Sequence, residues 1–550
     1  MKKLLAMILC LALAVGLCAG CGGNQSSGGS DVDEQGRTTI KIGSPRNMNV
    51  EDYETNALTL WLEEQTGLNL EFQLFMASEA DYRSQLSTMF IDPSVEMPDL
   101  LWRFRGLGTD TIEMYGADGY FMDVSDYLMD REKSANFWEL FDKLDPDFQA
   151  RITRLMTEQD GAIYSIPSIE TSDFDTINYK VFINQTWLDT LNLEMPTDTE
   201  SLYNVLVAFR DGDPNGNGKK DELPLIGRAG SGGADVVNWI MNMFEYVDNR
   251  AWWNVDENGK LTCPYTTDAY REGLKYCRKL VDEGLMQEAV YSMSSSEVKS
   301  LLNPTNGICT VGVWVDHPTS YLEVDHDSVY DYAAMPYWGN AVRLENKNVY
   351  DMFVTETGAE KIDDIWKLLM CAYTEEAAIR MRYGQKDVDW VDADEGAKSY
   401  LGYDAKVKVI NEDAYVGVNN QTWHTISGTI LLNAENETCQ IDDSMSDWIK
   451  AKMKLMTDCY NNFCQAEENN NPENIFTGMV YPEDESEATQ HIRNNVRDVF
   501  TNMSAKFICG TDGADPTNDK QWQDYLDEIQ EQGYQEYYEQ AQRLYDDLKK

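Results

Sequence analysis

The stretch TTIKIG at residues 38–43 decides the fold class, because it opens the first alternation of strand and helix in the chain. Its β-branched Thr and Ile residues are typical of a strand. Residues 56–66 follow with apolar side chains suited to a helix, and Gly67 marks its end. Residues 68–75 predict a second strand, and residues 97–102 the next. Strand, helix and strand in this order form a βαβ unit, which predicts an α/β fold with a partly parallel sheet.

The composition narrows the class of protein and of partner. The chain has 550 residues, of which 42% are apolar, enough for two or more domains and a large core. Its formal net charge of −50 opposes binding to nucleic acid or to an anionic membrane surface. The same charge disfavours an anionic ligand, although a local basic pocket could still bind one. We therefore expect no nucleic-acid partner.

The amino-terminal segment predicts export and a lipid anchor. Two lysines precede an apolar run over residues 4–17, which is typical of a cleavable signal and too short to span a bilayer. The run closes on CAGC at residues 18–21, which resembles a bacterial lipobox with Cys21 as the lipidated residue. Cys18 stands where such motifs usually have Leu. An ordinary signal peptide with incidental cysteines is the alternative.

The sharpest chemical motif is DPNGNGKKDE at residues 213–222. Oxygen-bearing side chains alternate along it, glycines permit tight turns and two carboxylates close it, which suits the six to eight oxygen ligands of Ca²⁺. The predicted ligands are five side chains and one backbone carbonyl, those of Asp213, Asn215, Asn217, Asp221 and Glu222 and the carbonyl of Lys219. We expect the ion to be structural, because one loop supplies all its ligands.

The surroundings of this loop leave two alternatives open. A helix that starts within residues 196–200 and carries an apolar stripe as far as Phe209 precedes it, with Thr197 and Glu200 predicted as a capping box. A second calcium register begins at Asp211 and places Glu222 at the twelfth position. The other alternative is a polar Asn/Gly turn that binds no ion.

Signals for catalysis are weak. The chain has four histidines and contains none of the motifs HExxH, GxSxG and GxGxxG. Acidic pairs do not identify a glycosidase in a chain with 95 Asp and Glu residues. The 14 Trp and 30 Tyr residues are more informative, since aromatic planes suit the apolar faces of sugar rings, although core packing is the role of most single Trp residues. We expect a binding protein and not an enzyme.

Several segments carry a family resemblance, at residues 181–189, 213–224, 256–260, 270–285, 383–390 and 533–546. In this order and spacing they resemble the Gram-positive lipoprotein branch of the family 1 extracellular solute-binding proteins, whose alginate-oligosaccharide binders share the calcium loop. The chain also looks like the maltose-binding relatives. One departure is QKD at residues 385–387, where this branch usually has Ile-Glu-Gly.

The resemblance implies a periplasmic-binding-protein-like α/β fold, with two lobes, hinge crossings and a central ligand cleft. The crossings would lie at residues 164–170 and 335–338. The expected division of the chain is a lipoprotein signal peptide at 1–20, a flexible tether at 21–37, lobe 1 at 38–170 plus 336–370, and lobe 2 at 171–335 plus 371–550.

The resemblance also implies the ligand-binding residues. Four aromatic side chains would stack on sugar rings, namely Trp102, Trp314, Tyr337 and Trp338. Four charged side chains would bond sugar hydroxyls, namely Arg46, Arg103, Glu170 and Asp316. These placements rest on similarity of segments and not on a matched binding motif.

The expected function is that of a monomeric, lipid-anchored carbohydrate-binding protein on the extracellular face of the cell membrane. It would capture an oligosaccharide in the cleft and deliver it to the permease subunits of an ABC importer, with the lipid as its only attachment to the membrane. Two alternatives remain: a secreted glycan hydrolase, and a surface glycan adhesin or sensor that does not transport.

Overall fold

The computed structural model describes residues 32–92, 94–158, 161–170, 172–230, 232–247, 252–343, 350–424, 428–431, 438–441, 443–467 and 487–548. The signal segment, Cys21 and most of the tether lie outside these residues. No helix in the described part of the chain is long and apolar enough to cross a membrane.

The strands in the described residues are short, and most belong to one of two four-stranded sheets. They are β1 (Thr39–Pro45), β2 (Asn69–Phe75), β3 (Leu100–Trp102), β4 (Ile169–Glu170), β5 (Val181–Asn184), β6 (Leu223–Ile226), β7 (Asn254–Val255), β8 (Leu261–Thr262), β9 (Val311–Val315), β10 (Tyr332–Ala334), β11 (Met352–Val354), β12 (Trp390–Asp392), β13 (Val407–Val409) and β14 (Ile430–Leu431).

Helices cover both sheets and are longest in the carboxy-terminal part. Those described are α1 (Ala57–Thr66), α2 (Glu79–Ile91), α3 (Thr109–Ala117), α4 (Ser125–Leu128), α5 (Ala135–Phe141), α6 (Pro146–Met156), α7 (Gln185–Leu191), α8 (Thr199–Asp211), α9 (Val236–Met241), α10 (Asp268–Asp282), α11 (Ser295–Leu302), α12 (Pro318–Tyr321), α13 (Ile362–Ala372), α14 (Glu375–Tyr383), α15 (Glu412–Val416), α16 (Asp447–Glu467), α17 (Glu487–Cys509), α18 (Asp519–Glu531) and α19 (Tyr534–Leu548).

The opening βαβ unit forms as the sequence predicts. Strand β1 pairs in parallel with β2 and with β3, and α1 connects β1 to β2. The Asn56 side chain accepts a hydrogen bond from the Leu58 amide and caps α1, and Gly67 ends the helix at φ 69°. The sheet order is β11-β3-β1-β2, with β11 antiparallel at one edge. Ile40 and Ile42 on β1 are fully buried in the core of this first lobe.

The second sheet forms the centre of the other lobe. Its order is β10-β5-β9-β6, in which β6 and β9 are parallel and the other two pairs are antiparallel. The carboxy-terminal helices α17, α18 and α19 pack in the same core as β5 and β9. The ring of Phe500 on α17 stacks on Tyr265, with centroids 4.6 Å apart. The aromatic side chains Phe500, Tyr525 and Tyr537 of these helices are therefore packing surface.

The start of α8 differs from the predicted capping box. The N-cap is Asp198, whose carboxylate accepts a hydrogen bond of 2.7 Å from the Ser201 amide. The Ser201 hydroxyl accepts one of 3.1 Å from the Asp198 amide, so the box is formed by Asp198 and Ser201 and not by Thr197 and Glu200. The prediction was one residue early, because Thr and Asp are both good caps and stand next to each other.

Within the described residues, the chain passes between the first-lobe and second-lobe cores at several points. They lie between Ile169 and Phe174, Ala341 and Met352, Met381 and Tyr383, Tyr415 and Trp423, and Ile430 and Cys439. The first predicted crossing, at residues 164–170, overlaps the passage between Ile169 and Phe174. The second, at residues 335–338, lies within the second lobe, because Met335 and Trp338 pack in its core.

The lobe bounds differ from the predicted ones for a packing reason. Trp338, which was assigned to the first lobe, packs against the second-lobe core, and the chain reaches the first-lobe core again at Met352. The predicted second lobe includes all of α14, but Ala377 and Met381 on this helix are buried in the first-lobe core. A further return to that core at Trp423 and Ile430 has no counterpart in the prediction.

Candidate binding site between the lobes

A cavity of about 230 Å³ lies where the two lobes meet. Both lobes contribute to it, together with residues on three of the passages between them. Its lining residues are Asn49, Glu170, Ser172, Phe174, Asp175, His317, Arg382, Tyr400, Tyr415, Val416, His424, Lys452, Met453 and Met456. The cavity is therefore lined by aromatic rings, two separate carboxylates, two cations and two imidazoles. This mixture suits a polar ligand with apolar faces.

The ends of secondary-structure elements position these side chains. Glu170 ends β4, which pairs in parallel with β14. His317 follows β9 by two residues, and Arg382 lies in the last turn of α14. Lys452 lies on α16, where its neighbours on the buried face are Ile449 and Met453. The site thus joins strand ends of both lobes to helices, as in other α/β binding sites.

Asp175 and His317 form a hydrogen-bonded pair in the cavity wall, with 3.0 Å between Asp175 Oδ1 and His317 Nε2. Burial of Asp175 disfavours the charged form of its carboxyl and would raise the pKa. The hydrogen bond to His317 has the stronger effect and holds this pKa below its usual range. Burial lowers the pKa of His317, against the pull of Asp175. Both pKa shifts are consistent with a neutral imidazole whose Nε2–H donates a hydrogen bond to an ionised carboxylate.

Lys452 is the most deeply buried charge in the cavity wall, at 3% exposed. Burial and the positive charges of Arg382 and Lys299, with burial the larger cause, together lower the pKa of its ammonium to about 7. Its Nζ lies 4.5 Å from the centroid of the Trp448 ring, a cation–π contact. The guanidinium carbon of Arg382 lies 5.3 Å from the centroid of the Tyr415 ring.

Of the predicted hydroxyl-binding residues, Glu170 lines the cavity, and Arg46 and Asp316 are close in sequence to residues that line it. Arg46 is exposed three residues before Asn49, which lines the cavity. Asp316 precedes His317 and pairs with Arg228, with 3.0 Å between Nη2 and Oδ2.

Arg103 follows the strand end of β3 in the first lobe. It has a positive φ of 74°, and its Nη1 donates to the Pro45 carbonyl at 3.4 Å. Burial lowers the pKa of this guanidinium, against the attraction of Tyr53 and Asp351. Arg103 is not among the residues that line the cavity.

The predicted stacking residues are part of the packing. Trp314 is fully buried between Phe182 and Tyr332, and Trp102 is 1% exposed with its ring edge on Trp423. In this structure neither indole has a face open to a sugar ring, because both side chains are buried in the cores that cover the two sheets. Neither Trp102 nor Trp314 lines the cavity.

Tyr337 and Trp338 also pack in the second lobe, and both are half-buried. The Tyr337 ring lies 5.2 Å from that of Phe463, and its hydroxyl donates to Asn178 Oδ1. The indole nitrogen of Trp338 is buried and has no hydrogen-bond partner among the described residues. Phe174, Tyr400 and Tyr415 are the aromatic residues that line the cavity instead.

The sequence did carry one signal for a missed cavity residue. Along α16, the buried positions Trp448, Ile449, Met453 and Met456 are apolar and recur at helical spacing, and Lys452 interrupts them. A lysine within an apolar stripe predicts a buried charge, which is typical of a functional site. The other missed residues come from separate segments and carry no local signal.

The predicted calcium loop connects α8 to β6 and curls on itself. Its curvature depends on Gly216 and Gly218, which have positive φ of 67° and 72°. The Gly218 amide donates to both carboxylate oxygens of Asp213 at 3.2 Å, and the Asn217 side chain donates to Asp221 Oδ1 at 3.0 Å. The Asn215 side chain donates to the same oxygen at 3.2 Å. The loop therefore gathers the predicted ligands around Asp221.

The chemistry of this donor set fits a hard cation. Glu222 Oε1 is buried without a hydrogen-bond partner among the described residues, and burial together with Asp221 and Asp213 raises the pKa of this carboxyl. Like charges held this close favour a cation between them. In the described part of the chain, no three His, Cys, Asp or Glu side chains are grouped as a metal site. Coordination would thus depend on amide and backbone oxygens as well.

Comparison with known proteins identifies the fold. No family model matches the chain. The structure of the ABC-transporter substrate-binding protein FusA of Streptococcus pneumoniae in complex with kestose has a TM-score of 0.69 at 20% identity, over 93% of this chain and 99% of that one. The fold is that of a two-domain solute-binding protein. A FusA EF-hand mutant in complex with fructo-nystose has a TM-score of 0.67 at 20% identity, over the same shares of the two chains.

Sequence comparison finds the same class of protein. The fructooligosaccharide ABC transporter substrate-binding protein FusA of Streptococcus pneumoniae serotype 4 (strain ATCC BAA-334 / TIGR4) is 30% identical over 302 residues, 52% of this chain and 53% of that protein. Lipoprotein LipO of Bacillus subtilis (strain 168) is 27% identical over 290 residues, 52% of each. The chain thus matches about half the length of these relatives. The predicted resemblance to solute-binding proteins and the predicted fold class are confirmed.

Proposed function

We propose that the protein is the solute-binding component of an ABC importer and captures an oligosaccharide between its two lobes. The observation that carries this proposal is the cavity at the junction of the lobes, with side chains from both facing one space. The substrate-binding proteins to which the chain is similar include a fructooligosaccharide binder, which supports a carbohydrate ligand.

Capture would couple binding to a hinge motion. Glu170 and Asn49 reach the cavity from the first lobe, and Asp175, Tyr400 and Lys452 from the second. A ligand that contacts both sets is bound best when the lobes are closed, so it shifts the population toward the closed form. The closed form would then be the one that the permease recognises.

The ligand would be held by stacking and by hydrogen bonds. The rings of Tyr400 and Tyr415 offer apolar surface for the C–H faces of a sugar, and Glu170 and Asn49 offer acceptors and donors for hydroxyls. We propose binding without a catalytic step, which agrees with the relatives being substrate-binding proteins.

A structural Ca²⁺ in the loop at residues 213–222 belongs to the same proposal. Asp213, Asn215, Asn217, Asp221 and Glu222 would supply side-chain oxygens and Lys219 its carbonyl. Rotation of an Asn side-chain amide exchanges its nitrogen for its oxygen, so the present contacts to Asp221 do not oppose this role. The ion would neutralise the grouped carboxylates and fix the connection from α8 to β6.

Attachment to the membrane would come from lipid on Cys21, which lies outside the described residues. The similarity to lipoprotein LipO supports this. Detergent phase partition tests it: the wild-type protein is expected in the detergent phase, and a Cys21→Ser variant in the aqueous phase. Partition of the wild-type protein into the aqueous phase would contradict a lipid anchor.

A thermal-shift titration tests the binding function. Purified protein is titrated with a panel of oligosaccharides and with a panel of peptides while the melting temperature is followed. Binding to the folded state stabilises it by RT ln(1 + [L]/Kd), about 2.7 kcal/mol when the ligand is at one hundred times Kd. We expect a rise with at least one oligosaccharide. A rise with peptides and with no sugar would contradict the proposal.

A further inference from the structure

One cation in the interlobe cavity has no counter-charge among the residues that the structure describes. Lys452 lines the cavity and is 3% exposed. Its ammonium makes no ion pair and no hydrogen bond among the described residues. The ammonium lies over the face of the Trp448 ring, in a cation–π contact. A buried ammonium without a partner is unfavourable, so its presence calls for an explanation.

The other charged groups of the cavity do not neutralise the ammonium of Lys452. The charges that act on Lys452 are those of Arg382 and Lys299, and both repel it. The negative charge of Glu170 interacts with the guanidinium of Arg105 in the first lobe. Asp175 is engaged with His317 across 3.0 Å.

The two imidazoles of the cavity do not supply a negative charge either. His317 donates to Asp175, and the ring of His424 contacts the Asn419 side chain. Burial lowers the pKa of both imidazoles, so they are neutral near pH 7. Arg382 is within reach of the charge of Asp175, which leaves Lys452 as the cation that the cavity wall does not balance.

Packing alone does not require a lysine at this position. The residues beside it on the buried face of α16 include Met453 and Met456, which also line the cavity. A methionine at position 452 would fill a similar volume without a buried charge. The charge is therefore a feature of the cavity and not of the helix packing.

We propose that the captured saccharide carries an anionic group, the carboxylate of a uronate or a sulfate ester, and that Lys452 and Arg382 bind this group. The inference rests on the proposed carbohydrate-binding function and names its ligand class. The guanidinium of Arg382 can hold two oxygens of such a group at once, and the ammonium of Lys452 acts as a point charge beside it. A local basic pocket thus serves an anion inside a strongly acidic chain.

A glycan array gives the first test and needs no variant. The array holds oligogalacturonides, alginate oligosaccharides and sulfated chondroitin oligosaccharides beside neutral fructo-, manno-, xylo- and malto-oligosaccharides. We expect the wild-type protein to bind glycans that carry a carboxylate or a sulfate, and the array separates these two sources. Binding to neutral glycans alone would overturn the inference and leave the proposed function intact. Binding to no glycan would overturn both.

Calorimetry with substituted proteins then tests the residue. Lys452→Met is expected to weaken binding of trigalacturonate at least about tenfold, because a buried charge pair loses one partner. Lys454→Met is the matched control, on the same helix with a side chain 72% exposed, and should bind as the wild type does. The methyl ester of trigalacturonate, which is neutral, should lose as much affinity for the wild type as the acid loses on substitution. Equal affinity of the wild type for the acid and its ester would overturn the assignment.

Discussion

The calcium loop and the interlobe cavity present the same electrostatic problem with opposite signs. In the loop, burial and two neighbouring carboxylates raise the pKa of Glu222. In the cavity, burial and two neighbouring cations lower the pKa of Lys452 to about 7. Each group of like charges is unfavourable in the protein alone and favours a guest of opposite charge. We propose a cation in the first and an anionic saccharide in the second.

The two regions differ in how their parts are brought together. The loop takes all its oxygens from ten consecutive residues, so the sequence alone reveals it. The cavity collects side chains from residue 49 to residue 456, which only the fold brings together. A guest in the loop would strengthen one connection, whereas a guest in the cavity would link two lobes.

The largest expected effect is on the cavity side. The folded-state pKa of Lys452, about 7, lies below the value of about 10.4 in an unfolded chain. The unfolded state therefore binds more protons between these values, and the contribution of Lys452 to stability rises with pH from 7 to about 10.4. Lys452→Met removes the penalty of the buried charge, so at pH 6 we expect it to stabilise the ligand-free protein by about 2–4 kcal/mol.

Urea unfolding at pH 6 and at pH 10 measures this effect as a difference between variant and wild type. The gain from Lys452→Met should shrink toward pH 10, and Lys454→Met should change stability by less than about 0.5 kcal/mol at either pH. A variant that is less stable than the wild type at pH 6 would show that Lys452 has a counter-charge in the ligand-free protein.

The next largest expected effect concerns the calcium loop. Here the protein should lose stability, because the bound Ca²⁺ is removed. With Ca²⁺ at one hundred times its Kd, binding contributes about 2.7 kcal/mol to stability. Chelation with EDTA should therefore lower the melting temperature of the wild type. Asp213→Ala should abolish this response, and Asp256→Ala, in the turn at residues 256–260, should keep it. A wild type indifferent to EDTA would mean that the loop is an ordinary turn.

The smallest effect concerns the helix that leads into the loop. Asp198→Ala removes the side-chain cap of α8 and should lower the free energy of unfolding by about 1 kcal/mol. Thr197→Ala, one residue earlier, should change it by only a few tenths of a kcal/mol, because Thr197 is not the cap. Equal losses in the two variants, measured by urea unfolding, would restore the capping box predicted from the sequence.

What the sequence predicts here is what short segments determine. The βαβ opening follows from residues 38–75, because strand and helix patterns are local and the connection is short. The calcium motif is local in the same way. The cap of α8 was misplaced by one residue, since Thr197 and Asp198 are both suitable and only the backbone geometry distinguishes them.

What the sequence does not predict depends on contacts between distant segments. The family resemblance implies that Trp102 and Trp314 stack on sugars, but the burial of these side chains is decided by what covers the two sheets. The lobe bounds were misplaced because α14 packs by its Ala377 and Met381 face against a core formed mostly by the first part of the chain. Lys452 is the exception among the cavity residues, since its position within an apolar stripe is visible in the sequence.

Hydrogen exchange tests most directly whether the protein captures an oligosaccharide between its lobes. Exchange is measured with and without the tightest-binding glycan of the array. We predict slower exchange in both lobes around the cavity, at residues 172–175 and 452–456 and around Asn49 and Arg382, with little change in α18 and α19. Protection confined to one lobe, or to a surface away from the cavity, would contradict capture between the lobes.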